Sequence, residues 1–326
     1  MKITDPQSIP FGLLAMYAED MYDPKVASLH PTADPRVAAS GWTIIGYLTA
    51  QDAVLPPQSG PLQVLKPDPA KRVFFGFLAR NQGNPTLHVA AIRGTEGFAE
   101  WVIDAEFPLI AHPRHAPAQV EQGFWSIYQT MSLADPATGA TTHQNAAEGV
   151  EEMIGDGGEV VVTGHSLGSA LATYFTVDLA DRLGSRVTAC LFASPRTGDA
   201  AWAGLFAAKV KDYRLFNYIL DIVPHVPPIG YATLPNATVI QPATAQAGIR
   251  LDLLCDHHVI CYCAMIDRAV TMAAPTIAND PDCKACVLPA PGGAPEPAKA
   301  LAVLINHFGV GSEKAFAILA AFASTG

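Results

Sequence analysis

The stretch Glu159–Ala180, EVVVTGHSLGSALATYFTVDLA, constrains the fold more than any other part of the chain. A β-branched run ends at Gly164, a serine follows two residues later, then Gly168, and an apolar helical pattern begins. Strand, tight turn and helix in that order form the unit from which α/β sheets are built. Gly164-His165-Ser166-Leu167-Gly168 fits G-x-S-x-G, and mechanics explain the two glycines. The turn is sharp and the serine sits in strained backbone. Side chains at the flanking positions would collide with the neighbouring strand and helix. The bland reading is an ordinary glycine-rich turn. The strand before it and the helix after it favour a nucleophile.

The rest of the chain agrees with an α/β architecture. Gly41–Ala50, Val73–Ala79 and Leu87–Arg93 are strand-like, as are Glu159–Thr163, Arg186–Ala193 and Tyr213–Leu220. Val120–Met131 and Ser169–Leu183 carry helical periodicity. The pattern predicts a central, mostly parallel sheet with helices on both faces. Two regions break it: a proline-rich surface loop over Pro56–Pro69, and a Pro/Ala/Gly-rich loop or insertion over Ala273–Ala298. An apolar, helix-prone tail follows. With 326 residues and no internal repeat, residues 1–326 read as a single domain. Half the residues are hydrophobic and the net charge is −10, with no basic block, which argues against nucleic acid as a partner. The first residues lack a signal-peptide pattern. That leaves a cytoplasmic protein, export by another route, or a mature form with an added Met.

A nucleophilic serine needs a base, and the base needs an orienting carboxylate, in the chain order Ser, acid, His. Asp221 closes the strand YRLFNYIL and is followed by prolines that stop it, and strand ends are where such sheets place reactive groups. Asp178 and Asp181 lie along the helix after Ser166 and read as solvated. Asp256 abuts His257 and is a poor orienter for it. His225 is too close to Asp221 in a stiff segment and reads as a loop histidine. His307 lies in an apolar helix and reads as packed. The residues alone leave Asp256-His257-His258, without deciding between the two histidines. Donors for a developing oxyanion are expected from the N–H of Leu167 and from a loop after an earlier strand, where Arg93-Gly94-Thr95 places Thr95.

Five of the six cysteines lie late: Cys255, Cys261, Cys263, Cys283 and Cys286. Cys190 stands in an apolar strand and reads as core. Cys283-Lys-Ala-Cys286 has metal-ligand or redox spacing, but no second C-x-x-C and no βαβ context accompany it. The late group flanks the histidines. A tie from it to Cys283 or Cys286 would hold the base, so at least one disulfide is expected there.

Several ordered pieces give the chain a resemblance to the class 3 lipase family of α/β-hydrolases, the group of the filamentous-fungal triacylglycerol lipases. AAIRGT resembles the family's strand-plus-oxyanion segment, and Glu100-Trp101-Val102-Ile103-Asp104 its W-x-x-D. VEQGF is similar to V-H-x-G-F, with Glu121 where His is usual. VVVTGHSLGSALA matches the nucleophile block, FASPRTGD resembles F-G-S-P-R-x-G-N, and DIVPHVPP matches the acid block. His257-His-Val-Ile-Cys-Tyr262 resembles the family's His followed by Tyr. The span runs from Leu87 to Ile266.

The resemblance implies an α/β-hydrolase fold and hydrolysis of lipid carboxylic esters, as a triacylglycerol lipase or esterase, through an acyl-enzyme. Carried over by position, Ser166 is the nucleophile, Asp221 the acid, His257 the base, and Thr95 with Leu167 the oxyanion hole. Such chemistry calls for no metal and no cofactor. The implied partner is a lipid or other ester substrate, met at a lipid–water interface. Gly97–Ile110 (GFAEWVIDAEFPLI) is expected to be either a mobile cover with an apolar face or a fixed helix on the core. Two rival readings are a feruloyl- or polyester-type esterase on the same fold and a catalytically inactive lipid-binding module.

Overall fold

The computed structural model describes residues 2–54, 66–95, 107–241, 244–250 and 253–288. The strands are β1 Trp42–Val54, β2 Lys66–Asn81, β3 Leu87–Ile92, β4 Leu109–Ala111, β5 Gln119–Glu121, β6 Ser132–Ala134, β7 Thr141–His143, β8 Glu159–His165, β9 Val187–Phe192, β10 Tyr213–Tyr218 and β11 Thr238–Ile240. The helices are α1 Asp5–Asp20, α2 Pro35–Ala39, α3 Gln122–Tyr128, α4 Ala146–Ile154, α5 Leu167–Leu183, α6 Ala200–Lys209, α7 Leu253–His257, α8 Val259–Ile266, α9 Arg268–Met272 and α10 Pro281–Cys286.

Nine strands form one sheet in the order β11-β10-β9-β8-β3-β2-β1-β6-β7. The sheet is mixed. From β11 to β3 every pairing is parallel, and from β3 to β7 every pairing is antiparallel. The parallel half carries the site. Its central strands are buried on both faces, so they read as continuous apolar runs: β9 is buried at all its positions and β8 at all but Glu159. The pleat sends alternate residues to opposite sides. Val160 and Val162 face a core built on α3, α4, α5 and α6. Val161, Cys190 and Phe192 face a second core built on α1 and α8.

Helix α1 has no amphipathic stripe because it is covered on several sides, which is why the sequence shows no helical period there. A capping box between Thr4 and Gln7 starts it. At Gly12 a Cβ would lie 2.7 Å from Cys263 Sγ in α8 and 2.9 Å from the Phe192 ring in β9. The helix is therefore clamped between the sheet and α8, with its last turn at the C-terminal end of β8.

Three boundaries differ from the sequence pattern. The helix expected over Val120–Met131 begins only at Gln122, because Glu121 caps it: its carboxylate accepts from the N–H groups of Gly123 and Phe124. Glu121 is buried, and burial pushes its carboxyl up to about 7, with those two donors opposing the rise. The loop expected over Pro56–Pro69 ends earlier, since β2 already pairs with β1 from Lys66. Pro67 is tolerated because the ladder between β2 and β3 runs only from Gly76 to Arg80, so that among the described residues no strand pairs with β2 beside Pro67 on that side. The segment after Ala273 holds a short 3₁₀ turn, Ile277–Asn279, and α10, which Asp280 caps through its side chain. Residues 289–326, with His307 and the helix-prone tail, lie outside the described residues, as do residues 97–106 of the expected cover. The end of that segment forms β4 against β5.

Candidate active site

Strand β8 delivers Ser166 to the turn before α5. The residue has φ 58° and ψ −128°, the left-handed region that a non-glycine residue adopts at a cost. The flanking glycines are required by contact. A Cβ at position 164 would lie 2.5 Å from the Gly168 carbonyl oxygen, and one at 168 would lie 2.3 Å from that of Ile92. Ser166 N–H is anchored to the Phe192 carbonyl at 3.2 Å. Ser166 is 1% exposed.

His257 ends α7, and its ring bridges two side chains. Nδ1 lies 2.8 Å from Asp221 Oδ2 and Nε2 lies 2.8 Å from Ser166 Oγ. A carboxylate only accepts, so Nδ1 carries the proton and Nε2 presents its lone pair to the serine hydroxyl. Asp221 lies just beyond β10 and is buried. Its Oδ1 accepts from Val223 N–H at 2.9 Å. Its Oδ2 also accepts from the Tyr262 hydroxyl at 2.7 Å, and that hydroxyl accepts from Tyr218 N–H at 2.9 Å. Burial, then the Asp221 charge, holds the Tyr262 phenol well above its ordinary range, so it remains a donor. Tyr262 entered the sequence reading only as a spacing marker. Here its hydroxyl fixes the Asp221 carboxylate.

The turn after β3 packs directly on Ser166. A Cβ at Gly94 would lie 3.3 Å from Ser166 Cβ and 3.2 Å from the His165 carbonyl oxygen. Thr95, half-buried, follows it. Leu167 N–H is the first of α5 and has no acceptor within the helix. Arg93, given no role by sequence, is buried and holds this turn. Its Nε donates to the Phe74 carbonyl at 2.8 Å and its Nη1 to the Gly94 carbonyl at 2.7 Å, while the guanidinium lies 3.6 Å from the centre of the Tyr22 ring.

The other candidates fall elsewhere. His258 points away from Ser166, with Nε2 3.2 Å from Asp282 Oδ2 on α10. His225 lies in the connection after β10, in the 3₁₀ turn Val223–His225, where it is buried, and burial lowers it to about 4 against the opposing charge of Asp221. Asp178 is not solvated. It is buried and bonded by the Tyr128 hydroxyl and Arg114, because α5 is covered along that face by α3. Asp181 pairs with Lys209 and His115 on the surface.

Cys255 in α7 is disulfide-bonded to Cys286 in α10, one of the ties expected for the late cysteines. This takes one sulfur out of the C-x-x-C pair. Cys283 is a buried thiol beside Met272. Among the described residues, no group of three or more His, Cys, Asp or Glu could hold a metal ion. The bridge closes a sequence separation of 31 residues and anchors the helix bearing His257. Replacing both cysteines by alanine is expected to lower unfolding stability by about 3–4 kcal/mol, the loop-closure effect for that length. A denaturant midpoint unchanged from the parent would refute it.

Residues 89–231 match the family described as Lipase (class 3). Phospholipase A1-IIgamma of Arabidopsis thaliana is 33% identical over 165 residues, covering 44% of this chain and 39% of that protein. The secreted mono- and diacylglycerol lipase A of Penicillium cyclopium is 29% identical over 177 residues, covering 51% of this chain and 54% of that protein. The chain thus spans less than two thirds of either relative's length. A solved Penicillium cyclopium structure aligns with 72% of this chain and 78% of its own, at 24% identity and a TM-score of 0.50, a likeness of fold. Residues 89–231 are thus similar in sequence to class 3 lipases, and the chain has the fold of the solved fungal lipases, an α/β-hydrolase.

Proposed function

We propose that the protein is a serine hydrolase that cleaves carboxylic esters of lipids. One observation carries the reading: Ser166 Oγ, the His257 ring and Asp221 Oδ2 form a continuous hydrogen-bonded chain with both links at 2.8 Å. In the reaction, Ser166 Oγ attacks the ester carbonyl carbon while His257 Nε2 takes its proton. Asp221 stabilises the imidazolium. The tetrahedral oxyanion is met by Leu167 N–H and by Thr95. Collapse expels the alcohol, which takes the proton from His257. Water, activated by the same base, then hydrolyses the acyl-enzyme and restores Ser166.

The lipid assignment rests on two supports. Both relatives named above are lipid-ester hydrolases by name. Apolar side chains also stand exposed on the segments that carry the triad: Leu254, one helical turn before His257, is 68% exposed, and Ile229, on the loop that follows Asp221 in the chain, is 81% exposed.

The test combines a fluorophosphonate label with a substrate series. The expected result is labelling of the peptide holding Ser166, abolished in Ser166→Ala. Fatty-acid release from emulsified acylglycerol or phosphatidylcholine should exceed turnover of feruloyl and soluble polyester oligomers. Faster cleavage of the latter two would transfer the reading to that esterase class. No labelling of the folded protein would leave an inactive lipid-binding module.

A further inference from the structure

His165, between Gly164 and the nucleophile, takes part in none of the steps above, yet it is only 4% exposed and its ring centre lies 4.6 Å from that of His257. Its Nε2 is 2.6 Å from the backbone carbonyl oxygen of His257. A carbonyl only accepts, so Nε2 carries a proton and donates. On its other side, Nδ1 lies 3.5 Å from Glu19 Oε2, at the last turn of α1. Burial pushes the Glu19 carboxyl up, but the neighbouring His165 outweighs it and holds the group below its ordinary value. Glu19 is therefore a carboxylate beside the ring, and its contact with Nδ1 is attractive when Nδ1 carries a proton as well. It also borders the turn at Gly94, where a Cβ would lie 3.4 Å from Oε1.

The arrangement answers a structural need. His257 is the last residue of a helix of five residues. The final carbonyls of a helix have no acceptor role within it, and an end that short holds its own orientation weakly. A donor fixed at the end of β8 captures that carbonyl, and β8 is the strand that also carries Ser166. The nucleophile and the main chain of the base are thereby referred to one rigid element, while α1, clamped at Gly12, supplies Glu19 from behind.

We infer that the Glu19–His165 pair is a positioning device for His257, holding its main chain so that the ring reaches Ser166 and Asp221 together. The inference rests on the reading of His257 as the base. Its readout is therefore a loss in kcat at constant KM, because substrate contacts are untouched while the reacting atoms lose alignment.

The experiment measures kcat and KM on a soluble p-nitrophenyl ester, with melting temperatures, for His165→Leu, His165→Gln and Glu19→Ala. Misplacing a reacting group by about 1 Å costs on the order of 100-fold, so His165→Leu is expected to lose about 10- to 100-fold in kcat with KM unchanged. His165→Gln keeps an N–H donor near the Nε2 position and should recover most of that loss at equal melting temperature. Glu19→Ala should show a smaller kcat loss of the same kind. Parental kcat in His165→Leu, or a His165→Gln variant as slow as it, overturns the proposal. Should His165→Leu fail to fold, Glu19→Ala decides: a kcat loss at constant KM supports the device, and an unchanged kcat overturns it. An active His257→Ala would overturn the triad reading itself. An inactive His257→Ala beside a fully active His165→Leu would overturn the positioning role alone.

Discussion

His257→Ala is expected to fall to the residual activity of Ser166→Ala, about 10⁴- to 10⁶-fold below the parent in kcat, whereas His258→Ala keeps most of the activity. The contrast follows from direction. Two neighbouring residues at the end of a short helix cannot face one point. His257 has its ring between Ser166 and Asp221, and His258 has its ring on Asp282. Nucleophile and base act as a unit, so removing either removes nearly the same transition-state stabilisation, and a Ser166→Ala/His257→Ala double variant should be no slower than either single one. His258→Ala loses one partly exposed contact with Asp282, a small effect on stability. Single-turnover kinetics on a soluble ester give the comparison directly. Inactivity of His258→Ala beside an active His257→Ala would move the base by one position.

Parts of this site are legible in sequence because the chemistry imposes local signals. The nucleophile turn announces itself through Gly164 and Gly168, which touch backbone at distances no Cβ survives. Asp221 is marked by the apolar strand before it, which stops at Tyr218, and by the prolines after it. The parallel strands β8, β9 and β10 are apolar runs because both faces are covered. The choice between His257 and His258 has no such signal in the residues themselves, since it depends on how α7 meets β8, and only the resemblance favoured one. Asp178 looked solvated because its burial is imposed by α3, far away in sequence. Helix α1 was invisible as a helix because being clamped between sheet and α8 erases its polar stripe. The strands β4 to β7, three residues each, carry no periodicity to read. Arg93, Glu19, His165 and the hydroxyl of Tyr262 act across long separations in the chain, and nothing in their immediate neighbours distinguishes them from ordinary polar residues.

Asp221→Asn should lower kcat about 10⁴-fold while leaving the protein folded. The reason lies in the donors around the carboxylate. Oδ1 faces Val223 N–H, and Oδ2 faces both His257 Nδ1–H and the Tyr262 hydroxyl. An amide placed there has one oxygen and one NH₂. If its nitrogen faces Val223, two donors meet in a buried site, a loss of about 1–3 kcal/mol. The amide therefore turns its oxygen toward Val223 and its NH₂ toward the histidine. His257 must then accept at Nδ1 and carry its proton on Nε2, where it has no lone pair left for the Ser166 hydroxyl. The Tyr262 hydroxyl can rotate to accept from the NH₂, so packing survives and the melting temperature should change little. Tyr262→Phe makes the complementary test. It removes one donor to Asp221 and leaves Tyr218 N–H without its partner, but it keeps the tautomer, so its kcat loss should be far smaller than that of Asp221→Asn. Steady-state kinetics on the two variants, with melting curves, separate the effects. An Asp221→Asn variant within tenfold of the parent would show that the carboxylate does not set the proton position on His257. A Tyr262→Phe variant as slow as Asp221→Asn would instead show that the acid works only when its second oxygen is held.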